Sequence, residues 1–249
     1  MATWIVTREA RDAEQVVQAL RSRGARARAL PCIAREALPW PDDLAPVHDG
    51  GATIVLCTSP YTAGPVIARW PALSAVAAGA PLSCAATAPT TARLLEDAGL
   101  PVSIRAQGGV VALARAIAET TGGGQRPLVL YPTSDLGEES DEHAQALAML
   151  APCADVMGGV VYSTRPAAEL DGAVRDLERD AALLFFSPSA VTALVAATAR
   201  AGIALPATVV CVGGSTARAF ERAAHRAATL APRDADVADF VCSLPEERQ

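Results

Sequence analysis

Residues 183–196 read LLFFSPSAVTALVA, and residues 54–68 read IVLCTSPYTAGPVIA. Each begins with a short apolar run, turns at a Ser-Pro pair and resumes at helical spacing. Proline suits the first position of a helix, and serine is a favoured N-cap. Both stretches therefore predict a buried strand that turns directly into a helix, as parallel sheets require. The likeness continues downstream. TSP-x-T-A at 58–63 is followed by APTTARLLEDAG at 88–99, and FSPSAVTAL at 186–194 by GGSTARAFERAAH at 213–225. Each half thus carries strand, Ser-Pro, helix, strand, a Thr-Ala turn and helix, which predicts two similar lobes.

The rest of the chain alternates in the same way. Strands are expected at 3–7, 52–57, 82–86, 127–131, 182–186, 207–212 and 227–232. Helices are expected at 9–23, 60–69, 89–98, 109–121, 138–150, 188–201, 215–225 and 235–243. The fold class is α/β, with two similar lobes, each a parallel sheet flanked by helices, joined by a two-strand connector. The strand and helix of 1–24 have no counterpart before the second copy. They are expected to complete the C-terminal lobe, with the first copy inserted. The expected boundaries are 1–34 plus 167–249 for the first lobe and 38–160 for the inserted second lobe. Extended runs edged by proline or glycine place the connector strands at 28–38 and 159–166. A cleft between lobes on such a strap is a natural small-molecule site, because it can open and close around its ligand.

Composition narrows the functional classes. The chain has 249 residues, 51% of them hydrophobic, and a formal net charge of −6, which disfavours non-specific nucleic-acid binding. Every basic residue is arginine. No apolar run reaches bilayer length, and MATWIVTREARDAEQ turns polar after Val6, so neither a membrane span nor a signal-peptide core is expected. Cys32, Cys57, Cys84, Cys153, Cys211 and Cys242 form no Cys-x-x-Cys and read as reduced thiols of a cytoplasmic protein. His48, His143 and His225 lack ligand spacing, and no metal is expected.

Helix starts just beyond the carboxyl ends of parallel strands offer unpaired N–H groups and a partial positive charge, so they attract carboxylates or phosphates. A serine at one such corner reads equally well as a simple cap. Two matching Ser-Pro corners, each followed by a Thr-Ala helix start, favour an anion-binding cleft. Gly213 and Gly214 allow close backbone approach at VGGSTA, 212–217. There is no Walker A lysine, no G-x-G-x-x-G, no Gly-x-Ser-x-Gly elbow and no Cys–His pairing, so nucleotide binding and covalent catalysis lack candidates. DAD at 234–236 matches an Asp-x-Asp pattern but reads better as acidic capping of the last helix.

IVTREA (5–10), TSPYTA (58–63), VVYSTRP (160–166), FFSPSAV (185–191) and VGGSTARAF (212–220) occur in an order and spacing that resembles the uroporphyrinogen-III synthase family over essentially the whole chain. The resemblance implies two α/β lobes joined by a two-strand ladder. The implied activity is that of a lyase of heme, siroheme and cobalamin biosynthesis, which cyclises hydroxymethylbilane with inversion of ring D and loss of water. The implied substrate is a linear tetrapyrrole with an acetate and a propionate on every ring. No cofactor is implied, and the protein is expected to act as a cytoplasmic monomer. Helix N-termini and neutral hydroxyls can bind such a polyanion without net positive charge. Tyr162, in the matched connector motif, is implied as proton donor to the leaving hydroxyl, since a phenol ordinarily stays protonated at neutral pH. A tyrosine packed in the hinge is the alternative. By matched motifs, Thr7, Ser59, Thr91, Ser187 and Thr216 line the cleft, with Ser189 and Ser215, while Arg8 and Arg165 meet substrate carboxylates. Ordinary surface salt bridges are the alternative for the two arginines.

Two departures stand out. Ala88 and Pro89 replace a glycine-containing turn before the first Thr-Ala start. YPTSDLGEES, 131–140, lacks the family's arginine-glycine pair and is acidic, so its carboxylates are expected to face solvent. A non-catalytic two-lobed binding or sensor module for an anionic small molecule is the alternative function.

Overall fold

Alternation of strand and helix is realised almost throughout the computed structural model, which describes residues 2–45, 51–77, 79–121, 126–232 and 236–244. The chain opens with β1 (Trp4–Val6), α1 (Ala10–Ser22) and β2 (Ala27–Ala29), then passes through β3 (Ile33–Ala37). Next come β4 (Thr53–Cys57), α2 (Pro60–Ala77), β5 (Leu82–Thr87), α3 (Ala88–Asp97), β6 (Val102–Ala106) and α4 (Val110–Thr121). β7 (Leu128–Ser134), the one-turn α5 (Asp135–Glu138), α6 (Asp141–Leu150) and the long β8 (Asp155–Pro166) follow. α7 (Leu170–Ala173) and a 3-10 turn (Val174–Asp176) lead to β9 (Ala182–Phe185), α8 (Pro188–Ala201) and β10 (Thr208–Val212). α9 (Gly214–Ala224), β11 (Thr229–Ala231) and α10 (Val237–Cys242) close the chain.

The chain divides into Met1–Arg35 with Thr164–Gln249, and Glu36–Ser163. In the first unit the sheet order is β11-β10-β9-β1-β2, and in the second β3-β8-β7-β4-β5-β6. The five strands of the first unit are all parallel, as are β4 to β8 of the second. β9 and β4 are the strands that enter the Ser-Pro turns. β10 and β11 lie to one side of β9, as β5 and β6 lie to one side of β4. On the other side β1 and β2 stand where β7 and β8 stand. The two units therefore share one strand order with the chain cut at different points, so β1–α1–β2 fills the place of β7–α6–β8. β3 lies beside β8. The Leu38 N–H donates to the Val161 carbonyl at 2.9 Å and the Ala167 N–H to the Cys32 carbonyl at 3.1 Å, an antiparallel pattern.

Helices cover both faces of each sheet. Ala190, Val191, Leu194 and Ala197 of α8 pack with Phe220 of α9 on Ile5, Leu183 and Phe185. Ala13, Val17 and Leu20, one face of α1, pack with Val241 of α10 on Trp4, Val6 and Leu184. In the second unit α2 and α3 bury Val66, Leu73 and Leu95 against Val55 and Leu130, while α4 and α6 bury Leu113, Ile117 and Leu150 against Leu56 and Val129. Full burial of each such side chain stabilises by about 1.5–3 kcal/mol.

Several elements depart from the expected boundaries. α2 continues to Ala77 through Pro65 and Pro71. Each proline removes a backbone bond, but Val66, Leu73 and Ala77 are buried on the sheet, and that burial holds the helix together. The helix expected at 138–150 is broken because Ser140 turns out to cap α6, its Oγ accepting the His143 N–H at 3.1 Å. Residues 27–37 hold two strands: β2 pairs with β1, and β3 begins after Leu30, Pro31 and Cys32. β6, an edge strand with Ile104 as its one buried residue, and α7 carry no pattern that announced them. Asp234 and Ala235, like His48, lie outside the described residues. Asp236 caps α10, its carboxylate accepting the Ala238 and Asp239 N–H groups.

All six cysteines are free thiols. Burial pushes Cys32 and Cys211 up to about 12, and the hydrogen bond with Cys84, with burial, pushes Cys57 well up. Thiols so held are poor nucleophiles. Among the described residues no helix is long and apolar enough to cross a membrane, and no cluster of His, Cys, Asp or Glu is placed to hold a metal ion.

β8 owes one glycine to packing. A methyl on Gly159 would lie 2.9 Å from Pro41 Cγ and 3.3 Å from Leu44 Cδ2. We expect Gly159→Ala to lower unfolding stability by about 1–3 kcal/mol. Gly158→Ala, whose nearest neighbour is the Tyr131 carbonyl at 4.0 Å, should stay within about 0.5 kcal/mol of the parent. Urea denaturation of the two variants checks this.

Candidate functional site

In an open parallel sheet, ligands bind outside the carboxyl ends of the strands, where neighbouring strands send their helices to opposite faces. In the first unit that point lies between β1, which leads to α1, and β9, which leads to α8. Thr7 follows β1. Its N–H and its hydroxyl both donate to the Leu184 carbonyl, at 3.2 and 2.9 Å, so this buried side chain ties the two strands together. Arg8 lies half-buried over the Phe186 ring at 4.9 Å and bonds Asp12 at 2.9 Å. Ser187 accepts the Ala190 N–H at 3.3 Å and stands 3.1 Å from the Ser189 hydroxyl. One strand further, Gly213 at φ 89° turns β10 into α9, which begins with no side-chain cap. Thr216 is buried in its first turn and Ser215 is exposed.

In the second unit the corresponding point lies between β4 and β7. Ser59 Oγ accepts the Thr62 N–H at 3.2 Å and lies 2.9 Å from Thr62 Oγ1 and 3.5 Å from Tyr162 Oη. Tyr162 is half-buried on β8, opposite Ser134 of β7, and its ring centroid is 6.4 Å from that of Tyr61. At the next corner Thr87 stands where a cap would. Its hydroxyl instead donates to the Thr58 carbonyl at 2.6 Å, so α3 also starts without a side-chain cap. Thr91 is fully buried, and among the described residues its hydroxyl has no hydrogen-bond partner.

The four corners therefore divide into two kinds. Ser59 and Ser187 satisfy their own helices, whereas the first turns of α3 and α9 keep N–H groups with no side-chain acceptor. None of α2, α3, α8 and α9 has an acidic residue in its first turn. The positive helix ends thus carry no compensating first-turn carboxylate at any of the four corners.

The acidic run follows the carboxyl end of β7. Asp135 and Glu138 lie in the first turn of α5, Asp141 and Glu142 in that of α6, behind the caps Ser134 and Ser140. Glu138, Glu139, Asp141 and Glu142 are exposed, and Asp135 is half-buried. Near them His143 stacks on Tyr131 with centroids 4.8 Å apart. Burial pushes the Tyr131 phenol up to about 12, against a hydrogen bond to Thr133 that lowers it. Burial lowers the His143 value from the ordinary 6.5, opposed by Glu138.

Of the residues expected from sequence, Thr7, Arg8, Ser187 and Ser189 gather at one corner of the first unit, with Ser215 and Thr216 at the next. Ser59 and Tyr162 meet in the second unit, and the Thr87–Thr58 bond links their corner to that of Thr91. Arg165 is exposed near the end of β8. Thr62, Thr58 and Thr87 were not singled out by sequence. Thr58 and Thr87 stand at strand ends and Thr62 in the first turn of α2, and those positions were the available signal.

The family model described as uroporphyrinogen-III synthase HemD matches residues 14–238. The chain belongs to the uroporphyrinogen-III synthase family. That family makes it an enzyme of tetrapyrrole synthesis with a small tetrapyrrole substrate. A mutant uroporphyrinogen III synthase from the extremely thermophilic bacterium Thermus thermophilus shares the fold, with TM-score 0.61 and 18% identity over 97% of this chain and 96% of that one. So does the uroporphyrinogen-III synthetase of Helicobacter pylori, with TM-score 0.61 and 14% identity over 97% of each chain. No curated protein sequence matches this chain.

Groups buried beside these synthase-family corners can be tested directly. Thr91→Val removes a hydroxyl that has no hydrogen-bond partner among the described residues, so the unfolding free energy should hold or rise, by up to about 1–3 kcal/mol. The same variant should lose about tenfold in kcat/KM for hydroxymethylbilane. Burial favours the neutral form of His143 in the folded state. Its contribution is therefore full above the unfolded value of 6.5 and is lost as pH falls from there through the depressed folded value. His143→Phe, which keeps the ring stacked on Tyr131, should flatten this acid limb in thermal melts taken between about pH 5 and pH 7.

Proposed function

We propose that this chain is a lyase that closes hydroxymethylbilane to uroporphyrinogen III, with Tyr162 assisting departure of the hydroxyl. The family match over residues 14–238 carries the activity. The terminal hydroxyl takes a proton and leaves as water. The electrophilic methylene so formed is attacked by the substituted carbon of ring D, giving a spiro intermediate that fragments and recloses with ring D inverted. Unassisted closure omits the inversion. The protein's main contribution is then to hold one folded conformer, an effect of orientation.

The residue roles follow from chemistry. Acetate and propionate arms are acceptors only. The open first turns of α3 and α9, the Thr91 hydroxyl and the hydroxyls at the two Ser-Pro corners are the matching donors. Partly buried, each contact stabilises a bound anion by up to about 2 kcal/mol. In this reading residues 1–34 with 167–249 form one lobe and residues 38–160 the other, each carrying its own set of corners, with 28–38 and 159–166 as connector strands. The protein works as a cytoplasmic monomer. The 3.5 Å separation of the Ser59 hydroxyl and the Tyr162 phenol oxygen supports their acting together. No observation favours a non-catalytic module.

Fresh hydroxymethylbilane supplied to the purified protein should give mainly the type III isomer, where buffer alone gives type I. Equal isomer composition with and without protein would overturn the assignment. Tyr162→Phe should lower kcat by about 10²-fold, the scale of a single proton donor, while the product remains type III. A shift of product toward type I would make Tyr162 a positioning group instead.

A further inference from the structure

A cavity of about 360 Å³ opens between α3 and the carboxyl end of β6, in the second unit. It adjoins the α3 corner. Pro89, Arg93 and Glu96 lie along one face of α3, and Arg105, Ala106 and Gln107 close the other side. The volume falls within the range of ordinary small-molecule sites. Two guanidiniums and one carboxylate give the walls a cationic excess on a chain whose net charge is −6. Glu96 is already engaged, because Arg105 bonds its carboxylate across the cavity. Among the described residues Arg93 has no ion-pair partner. It stands one turn into a helix whose first turn has neither a side-chain cap nor an acidic residue.

We propose that this cavity binds a carboxylate, with Arg93 as its principal cation. Arg105, held by Glu96, presents its remaining N–H groups, and the Gln107 amide is a neutral donor beside it. Pro89 and Ala106 supply apolar surface for the carbon body that carries the acid. Guanidinium is the group best matched to a carboxylate, through two parallel N–H bonds. The cavity also lies on the same sheet edge as Ser59, two strands along. At the usual strand spacing that is roughly 10 Å, within reach of one arm of a bound tetrapyrrole. The carboxylate therefore comes from such an arm, which rests on the proposed function, or from a separate small organic acid.

The test compares the full-length protein with Arg93→Gln and with Arg222→Gln, an exposed arginine of α9 that controls for net charge. A monopyrrole bearing one acetate and one propionate serves as probe, titrated by ligand-observed NMR. Steady-state kinetics on hydroxymethylbilane run in parallel. Loss of about tenfold in probe affinity, or a rise of about tenfold in KM with kcat kept, supports the site when confined to Arg93→Gln. A KM rise identifies a substrate arm. Probe loss with KM unchanged identifies a separate acid. If neither quantity moves, or if Arg222→Gln moves them equally, the proposal is overturned. Arg105→Gln, which leaves Glu96 unpaired in the cavity, should weaken the same quantity further. A parent protein that fails to alter isomer composition would sink the proposed function alone, since the probe titration still reads the cavity.

Discussion

Parallel pairing of β1 with β9 is the constraint on which the rest of the first unit depends. It sets Trp4 opposite Ala182, Ile5 opposite Leu183 and Val6 opposite Leu184, and Thr7 adds two bonds to the Leu184 carbonyl. Residues at the start of the chain are thereby fixed to its last third. Closing a loop of that length costs entropy that grows only slowly with length. Burial of Trp4, Ile5, Val6, Leu183 and Leu184 on both faces of the sheet offsets it. Once β1 sits beside β9, residues 36–163 must leave and return as a unit. Thr7, Arg8 and Ser187 are then brought to one strand-end corner.

The same strand order in both units, cut at different points, explains why hydroxyl-bearing corners occur twice. A strand that ends in Ser-Pro lies next to a strand whose helix goes to the opposite face, and both neighbours deliver residues to that point. In one unit the neighbour supplies Thr7 and Arg8. In the other β7 and β8 supply Ser134 and Tyr162. The chemical character differs accordingly. One corner carries a cation over a phenylalanine ring, and the other a phenol beside a serine.

First-turn carboxylates are distributed unevenly among the helices. Asp12, Asp135, Glu138, Asp141, Glu142 and Asp239 occupy first turns of α1, α5, α6 and α10, where they complement the helix dipole. The four corner helices have none. Thr87, by donating to Thr58 rather than capping α3, leaves that helix end open and at the same time braces the strand end beside it.

The sequence by itself determined the α/β class, the two matching lobes and the Ser-Pro and Thr-Ala helix starts, because strand period, N-cap chemistry and proline's fixed geometry are local properties. α8 spans Pro188–Ala201 as its pattern dictated, between a serine cap and Gly202 at φ 68°. Tertiary structure decided what local pattern could not carry. Burial on the sheet drew α2 through two prolines, and Ser140 found a helix start where the pattern ran on. It also decided how each hydroxyl is used. Thr7 ties strands, Ser59 and Ser187 cap helices, and Thr91 is buried with no partner for its oxygen among the described residues. A hydroxyl's partner is fixed by which strand ends lie side by side, and that adjacency exists only once residues 4–6 and 182–184 have met.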